Sequence, residues 1–310
     1  MTKDLILKYK MKKTKTDIIV PIDFKIYSLK SIEYAKELQS IIQGKIHLMH
    51  VIESQTWWAD YFNAKELMKS ATAKLETLKK EQQLPINTEV AVVQGKRYKE
   101  ITEYANKINP RYIVLADNYP LSKGGKKLGS TLSQVIIKAR HPVISITNRE
   151  QVIFKNIVVP LDLTQSCRLQ LFNSVAMALT YKSKIHLVSV LFGEKDMESR
   201  RINQKIEKYK RTYEENGIDY SVQLLVKEEN LAYKAIIKYC EQKQVDSILI
   251  MTHSESAKFD NYLGAFAQHI INEATMPVIS INNASAQHWE SKIANSLIDP
   301  FGILSKKSIQ

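Results

Sequence analysis

The sequence predicts an α/β fold of two repeated doubly wound domains, each a five-stranded parallel sheet with helices on both faces. Three observations predict it. The first is an internal repeat. Asp17-Ile18-Ile19-Val20-Pro21-Ile22-Asp23-Phe24 recurs as Asn156-Ile157-Val158-Val159-Pro160-Leu161-Asp162-Leu163, and Lys45-Ile46-His47-Leu48 as Lys184-Ile185-His186-Leu187, both at an offset of 139. Pro142-Val143-Ile144-Ser145-Ile146 recurs as Pro277-Val278-Ile279-Ser280-Ile281 at 135, as does Gly129 at Gly264. A drift of four residues is what changes in loop length produce. The second is a regular alternation of short apolar runs with helical stripes inside each copy, which is the mark of a parallel sheet covered on both faces. The third is length: 310 residues suit two domains of roughly 100–150.

The elements of the first copy follow in order. Residues 17–22 form a buried strand by length and Ile/Val content. Residues 28–43 place Leu29, Ile32, Ala35, Leu38 and Ile42 on one helical stripe, with Ser28 as N-cap and Gly44 as stop. Residues 45–52 are the second strand, and Ala64, Leu67, Ala71, Leu75 and Leu78 mark the second helix. Thr88–Val93 is the third strand, followed by a helix on Ile101, Tyr104, Ala105 and Ile108. Tyr112–Leu115, Ser130–Ala139 and Val143–Ile146 complete the copy as strand, helix and strand. The second copy places its strands near 156–161, 184–190, 220–226, 247–251 and 278–281.

The domains are therefore set at 11–148 and 153–282, with a C-terminal tail at 283–310 that contains a short helix on Trp289, Ile293 and Leu297. The join at Thr147–Lys155 has no Gly, Pro or Ser run, so the two domains are expected to pack on each other. Residues 1–16 have no counterpart before Asn156, and Met11 is an alternative start.

Composition narrows the classes. The 44% hydrophobic and 25% charged content is that of a folded globular chain. No run approaches the ~18 apolar residues of a membrane helix, and the lysine-rich start lacks a signal-peptide core. Two cysteines make no disulfide scaffold, so a cytoplasmic location is expected. The net charge is +13, of which residues 1–150 carry +11 and residues 151–310 carry +2. These lysines are scattered rather than interleaved with stacking aromatics, so a solvated basic surface is favoured over nucleic-acid binding.

Taken in order, the opening strand ending Pro21-Ile22-Asp23-Phe24, His47-Leu48-Met49-His50-Val51, Val93-Gln94-Gly95, Gly129-Ser130-Thr131 and His141-Pro142-Val143-Ile144-Ser145-Ile146 resemble the universal stress protein family. The likeness is to its tandem two-domain members. It implies the strand order 3-2-1-4-5 and pairing of the two copies through their last strands, which would otherwise leave open edges. It also implies an adenine-nucleotide site, with ATP or another adenine nucleotide as cofactor. Family members hold the phosphates with a G-x2-G-x9-G-(S/T) loop, where glycine backbone and a helix N-terminus meet the anion.

Carried over residue by residue, the candidate positions in domain 1 are Pro21, Ile22, Asp23, Val51, Ala116, Asn118, Gly129, Ser130 and Thr131. In domain 2 the weaker set is Asp162, Val190, His253 and Gly264. The first two loop glycines are replaced in both copies, by Ala116 and Tyr119 and by Met251 and Ser254, and Ala265 stands where a hydroxyl residue belongs. Side chains there obstruct close backbone approach. The loop Lys123-Gly124-Gly125-Lys126-Lys127 offers domain 1 another route to phosphate, but it lacks P-loop order.

Nothing else builds a catalytic or metal site. Cys167 and Cys240 read as structural thiols, His47, His50 and His186 as strand residues bonded locally, and Asp23 and Asp162 as turn formers or adenine contacts. Trp57-Trp58 with Tyr61-Phe62 is an aromatic cluster that covers a sheet edge or meets a partner. The expected function is a stress-response protein that acts by binding, with no enzyme activity and a degenerate nucleotide site. Its expected partners are its own second domain, a second copy in a homodimer and an unknown protein, with no membrane. The alternatives are an ATP-binding member that hydrolyses slowly through domain 1, and a nucleic-acid-associated protein that uses the basic half.

Overall fold

A computed structural model of the chain describes residues 17–53, 57–116, 128–146, 154–163, 167–191, 200–226, 231–252 and 263–282, with backbone alone for 57–63. Domain 1 contains β1 (Ile18–Pro21), α1 (Ile26–Ile42), β2 (Ile46–Ile52), α2 (Trp57–Glu81), β3 (Glu89–Gln94), α3 (Arg97–Ile108), β4 (Tyr112–Ala116), α4 (Ser130–Lys138) and β5 (Val143–Ile146). Domain 2 repeats this as β6 (Asn156–Pro160), α5 (Arg168–Tyr181), β7 (Lys184–Leu191), α6 (Arg200–Glu215), β8 (Tyr220–Val226), α7 (Ala232–Gln242), β9 (Ser247–Met251), α8 (Ala265–Glu273) and β10 (Val278–Ile281). Every strand expected from the sequence is present, within two residues at each end.

The ten strands form one sheet in the order β3-β2-β1-β4-β5-β10-β9-β6-β7-β8. Each half is parallel and has the expected order 3-2-1-4-5. The halves join where β5 meets β10 antiparallel, with Ile144 opposite Ile279 and Ser145 opposite Val278. An antiparallel pair of identical strands centred on one residue pair is a local two-fold, and it closes two edges that would otherwise template aggregation. Among the described residues only β3 and β8 remain as edges.

The strands are apolar on both faces because both are covered. On one side Ile18 and Val20 belong to a core that also takes in residues of α1, α2, α5 and α6; on the other Ile19 belongs to a core with residues of α3, α4, α7 and α8. Each core runs through both domains: Ile144, Ile146, Ile279 and Ile281 belong to the first, and Val143 and Val278 to the second. Fully burying one such side chain stabilises by about 1.5–3 kcal/mol, so the domains stabilise each other.

Polar clasps reinforce this seam. The Tyr112 and Tyr181 hydroxyls, one from each domain, lie 2.9 Å apart, and the buried Arg111 guanidinium sits 5.8 Å from the Tyr112 ring. Asn282, just past β10, donates its side-chain amide to the carbonyls of Ile136 (3.1 Å), Ile137 (3.2 Å) and Ala139 (2.8 Å) at the end of α4. Those carbonyls are the orphan acceptors of a helix terminus.

Three local expectations are corrected. Helix α1 begins at Ile26 with Lys25 at its cap, so Ser28 lies in the first turn and its hydroxyl donates to the Lys25 carbonyl at 2.9 Å. The stop is Gln43 in the left-handed region (φ 56°), one residue ahead of Gly44, and its N–H closes on the Gln39 carbonyl. Lys182 ends α5 in the same way, with φ 55°. Leu67, expected on the buried stripe of α2, is exposed. The aromatic cluster's side chains, the 1–16 leader and the 283–310 tail lie outside the described residues.

Candidate functional site

In a doubly wound sheet the ligand crevice opens at the carboxyl ends of the strands, where strand order reverses. In domain 1 that point lies between β1 and β4. The two strands pair only at Ile18–Tyr112 and Ile19–Ile113 and then diverge. Ile22 N–H donates to the Met49 carbonyl at 2.7 Å as the last bond between β1 and β2. The chain then turns away at Asp23. By the two-residue period of the strand, the Val51 amide and carbonyl face the same side as Met49, toward the space that β1 has left.

The turn itself is built by Asp23, Phe24 and Ser28. One Asp23 carboxylate oxygen accepts the Lys25 N–H at 3.0 Å, and the Asp23 N–H reaches the Ser28 hydroxyl at 3.4 Å. This is the turn-forming role that short acidic side chains perform. Phe24 adopts φ 62°, which swings its ring to 4.7 Å from His50. His50 Nδ1 lies 2.7 Å from the Ile22 carbonyl, so that nitrogen carries the proton and donates. The Lys74 ammonium of α2 lies 5.8 Å from the Phe24 ring.

The described candidate positions of domain 1 lie at the carboxyl ends of the strands and at the start of α4. Pro21, Ile22 and Val51 are buried at the strand ends, Asp23 is half-buried, and Ala116 ends β4. Gly129 caps α4, with Ser130 exposed and Thr131 half-exposed in its first turn and no side chain capping the helix. Asn118, Tyr119 and the Lys123–Lys127 loop lie outside the described residues.

Domain 2 keeps the backbone plan but changes the side chains. Leu161 N–H donates to the Val188 carbonyl at 2.8 Å, and Val190 occupies the place of Val51. Asp162 is exposed, and its carbonyl accepts from the Cys167 thiol at 3.0 Å. Gln170 reaches from α5 across the diverging strands and donates to the carbonyls of Pro160 (2.7 Å) and Leu249 (3.1 Å). The repeat partner of Gln170 is Ser31, buried, with no hydrogen bond to its hydroxyl. Lys205 of α6 donates to the Leu163 carbonyl at 2.6 Å, and burial holds its pKa below that of an ordinary lysine. Gly264 N–H is bonded to the Thr252 carbonyl at 2.9 Å, and the helix that follows opens Ala265-Phe266 in place of Ser130-Thr131. Phe266 is exposed. His253, Ser254 and Glu255 lie outside the described residues.

A family model for the universal stress protein family matches residues 16–146 and again residues 153–282. The chain belongs to the universal stress protein family. Among solved structures it is similar to a universal stress protein from Archaeoglobus fulgidus DSM 4304, at 18% identity and a TM-score of 0.61, over 86% of this chain and 98% of that one. It is likewise similar to a functionally unknown protein from Pseudomonas aeruginosa PAO1, at 14% identity and a TM-score of 0.59, over 92% and 98%. Comparison with curated proteins gives no match. These likenesses establish the tandem universal-stress fold and leave its chemistry to the residues.

At the opposite strand ends each universal-stress domain buries a histidine. His47 Nδ1 lies 3.0 Å from the Tyr104 hydroxyl and 3.6 Å from Glu89, with Asp17 3.4 Å from Nε2. His186, its repeat partner, meets the Ser221 hydroxyl at 2.8 Å, the Tyr239 hydroxyl at 3.3 Å and the Asn156 amide oxygen at 3.4 Å. Asn156 replaces Asp17, so the second histidine has lost its carboxylate partner. Among the described residues no cluster of His, Cys, Asp and Glu is arranged for a metal, and no helix is long and apolar enough to cross a membrane. Cys240 is buried within the α7 core, and burial pushes its thiol pKa up to about 12, as a structural thiol requires.

The sequence reading missed Phe24 with His50, Lys74, Gln170 and Lys205 as parts of the strand-end environment. One signal was available. At the offset of 139, Phe24 and His50 align with Leu163 and Ser189, and Ser31 with Gln170. The lysines gave none, because α2 and α6 differ in length and start.

Proposed function

We propose that this universal stress protein acts by binding, without turnover, and that any adenine nucleotide it takes is held by domain 1. The observation that carries this reading is Gln170. Its amide ties Pro160 to Leu249 across the crevice of domain 2, whereas the Ser31 hydroxyl makes no such bridge among the described residues of domain 1. The helix starts agree. Gly129-Ser130-Thr131 presents an uncapped N-terminus with two hydroxyls, a setting that suits phosphate, while Ala265-Phe266 offers none. Ala116 stands at the first loop-glycine position, so close backbone wrapping of a triphosphate is curtailed and weak binding is expected. Phosphoryl transfer needs a positioned metal, phosphate donors and a placed water. Domain 1 offers Asp23, Ser130 and Thr131 toward such a set but neither of the first two loop glycines, which supports binding without turnover.

The test is calorimetric titration of ATP with magnesium, and of adenosine, into wild type, Asp23→Ala and Asp162→Ala, with phosphate release followed in parallel. The expected result is weak binding reduced at least fivefold by Asp23→Ala and unchanged by Asp162→Ala, with no release above the uncatalysed rate. Binding abolished by Asp162→Ala alone, or rapid phosphate release, overturns the assignment.

A further inference from the structure

The two edges of the sheet differ in what discourages another strand from joining them. Exposed edges are commonly blunted by charge, proline or short length. Strand β3 opens on Glu89, whose carboxylate pairs with Lys45 at 2.6 Å. Strand β8, Tyr220-Ser221-Val222-Gln223-Leu224-Leu225-Val226, is the longer of the two and holds no charge, proline or glycine. Val226 and Gln223 are exposed on it.

The ladder fixes which groups β8 offers. Ile185 N–H donates to the Asp219 carbonyl at 2.9 Å, and the parallel register runs from Ile185–Tyr220 to Leu191–Val226. Backbone groups alternate from side to side along a strand, so Ser221, Gln223 and Leu225 turn theirs toward β7. Tyr220, Val222, Leu224 and Val226 turn theirs outward, where among the described residues no strand follows. An antiparallel neighbour bonds such a row when its own outward residues stand opposite. For a second copy of β8, a two-fold centred on Gln223 meets that condition: Val222 faces Leu224 and Tyr220 faces Val226, each twice. Every outward residue is then bonded, and the facing side chains on that side form apolar cross-strand pairs. Centring on Val222 or Leu224 instead leaves one outward residue of β8 beyond the partner strand.

We propose that β8 is a self-recognition edge, at which two copies of this chain join antiparallel about Gln223 and continue one sheet into the other. Helix α6 supplies an independent argument. It runs beside β8 across a groove of about 500 Å³, with Ile206 and Glu207 near Val222 and Leu224. The groove holds the helix clear of the edge and leaves room for the side chains of an added strand. Arg200 and Arg201 begin this helix and Glu214 and Glu215 end it, all four exposed. The Tyr220 hydroxyl donates to Glu214 at 2.6 Å, which keeps that acidic end beside the strand. Glu207 and Lys210 pair with each other between the two ends. A two-fold through Gln223 reverses one helix against the other, so the basic start of each meets the acidic end of its neighbour. Such charge complementarity fixes orientation and register more than it adds affinity.

The test is sedimentation velocity of the full chain over a range of concentrations, with substitutions at Gln223. Wild type is expected to pass from monomer to dimer in the micromolar range. Gln223→Lys and Gln223→Glu each set like charges opposite one another and should weaken the dimer by about tenfold or more. An equimolar mixture of the two variants should restore it, a result that decides the matter even where one variant melts lower. Gln223→Cys should give a disulfide-linked dimer on air oxidation, because facing Cα atoms in a pair of this type lie about 4.5 Å apart, within disulfide reach. Val226→Cys should stay unlinked, since its counterpart lies at the far end of the partner strand. The native Cys167 and Cys240 are buried. A chain that stays monomeric, a dimer indifferent to Gln223→Lys, or a mixture no tighter than either variant alone overturns the proposal. So does linkage by Val226→Cys that equals or exceeds linkage by Gln223→Cys.

Discussion

Asn282 offers a direct way to weigh the seam between the domains. It lies 4% exposed, and its amide is the donor to three carbonyls that end α4. Replacing it by Ala leaves those acceptors buried. An orphaned buried polar group costs roughly 1–3 kcal/mol, and the two N–H bonds act together, so a loss of about 2–4 kcal/mol is expected for Asn282→Ala. In a folded body of this size that corresponds to a fall in Tm on the order of 5–10 °C. Asn282→Asp should be worse, because it turns acceptor oxygens toward the same carbonyls and buries a charge. The assay is urea unfolding followed by far-UV circular dichroism and by tryptophan fluorescence. Because the cores run through both domains, a single coincident transition is expected for wild type. A loss below about 0.5 kcal/mol for Asn282→Ala would mean that water replaces the amide and that the clasp is incidental. Equal effects of Asp and Ala would refute the role of the donor.

Two further predictions concern single sites. Burial, with Lys184 and Lys243 adding and Asp219 and Asp246 opposing, lowers the pKa of His186 in the folded chain below its ordinary 6.5. The unfolded chain therefore binds more protons just below pH 6.5, so stability is held above that pH and falls as pH drops through it. Urea unfolding at pH 7.5 and 5.5 should show this loss, and His186→Gln should flatten it. Gly95 has φ +152°, and a Cβ there would run into the Glu100 carboxylate. Gly95→Ala should cost roughly 1–2 kcal/mol. Adding Glu100→Ala should recover only part, since the backbone strain remains; full recovery would show that the clash alone mattered.

The fold was legible because its signals are periodic and local. Strands such as Val143–Ile146 and Val278–Ile281 announce themselves by β-branched runs, and their recurrence named the two-fold seam before any geometry. Helix ends were less legible. Gln43 and Lys182 close their helices in a conformation that usually favours glycine, because a backbone bond to Gln39 or Ala178 sets it rather than residue type. Asn282 carried no signal at all: its value depends on where α4 ends, some 145 residues earlier.

The candidate site was legible in its backbone and obscure in its side chains, and the two copies show why. A strand end is positioned by the ladder, so Val51 and Val190 keep one geometry through a shared register. The residues that fill the space beyond the ladder answer to no such constraint. Phe24 with His50 became Leu163 with Ser189, Ser31 became Gln170, and Thr131 became Phe266. Each exchange preserves the sheet and alters the side chains beyond the strand ends. Gln170 ties Pro160 to Leu249 at the switch point, and Leu163 and Ser189 help to line a void of about 10 Å³ on the α6 side. One fold, present twice, thus keeps its ladder in both halves, while Gln170 bridges the diverging strands of domain 2 and Ser31, at the same position of domain 1, is too short to do so.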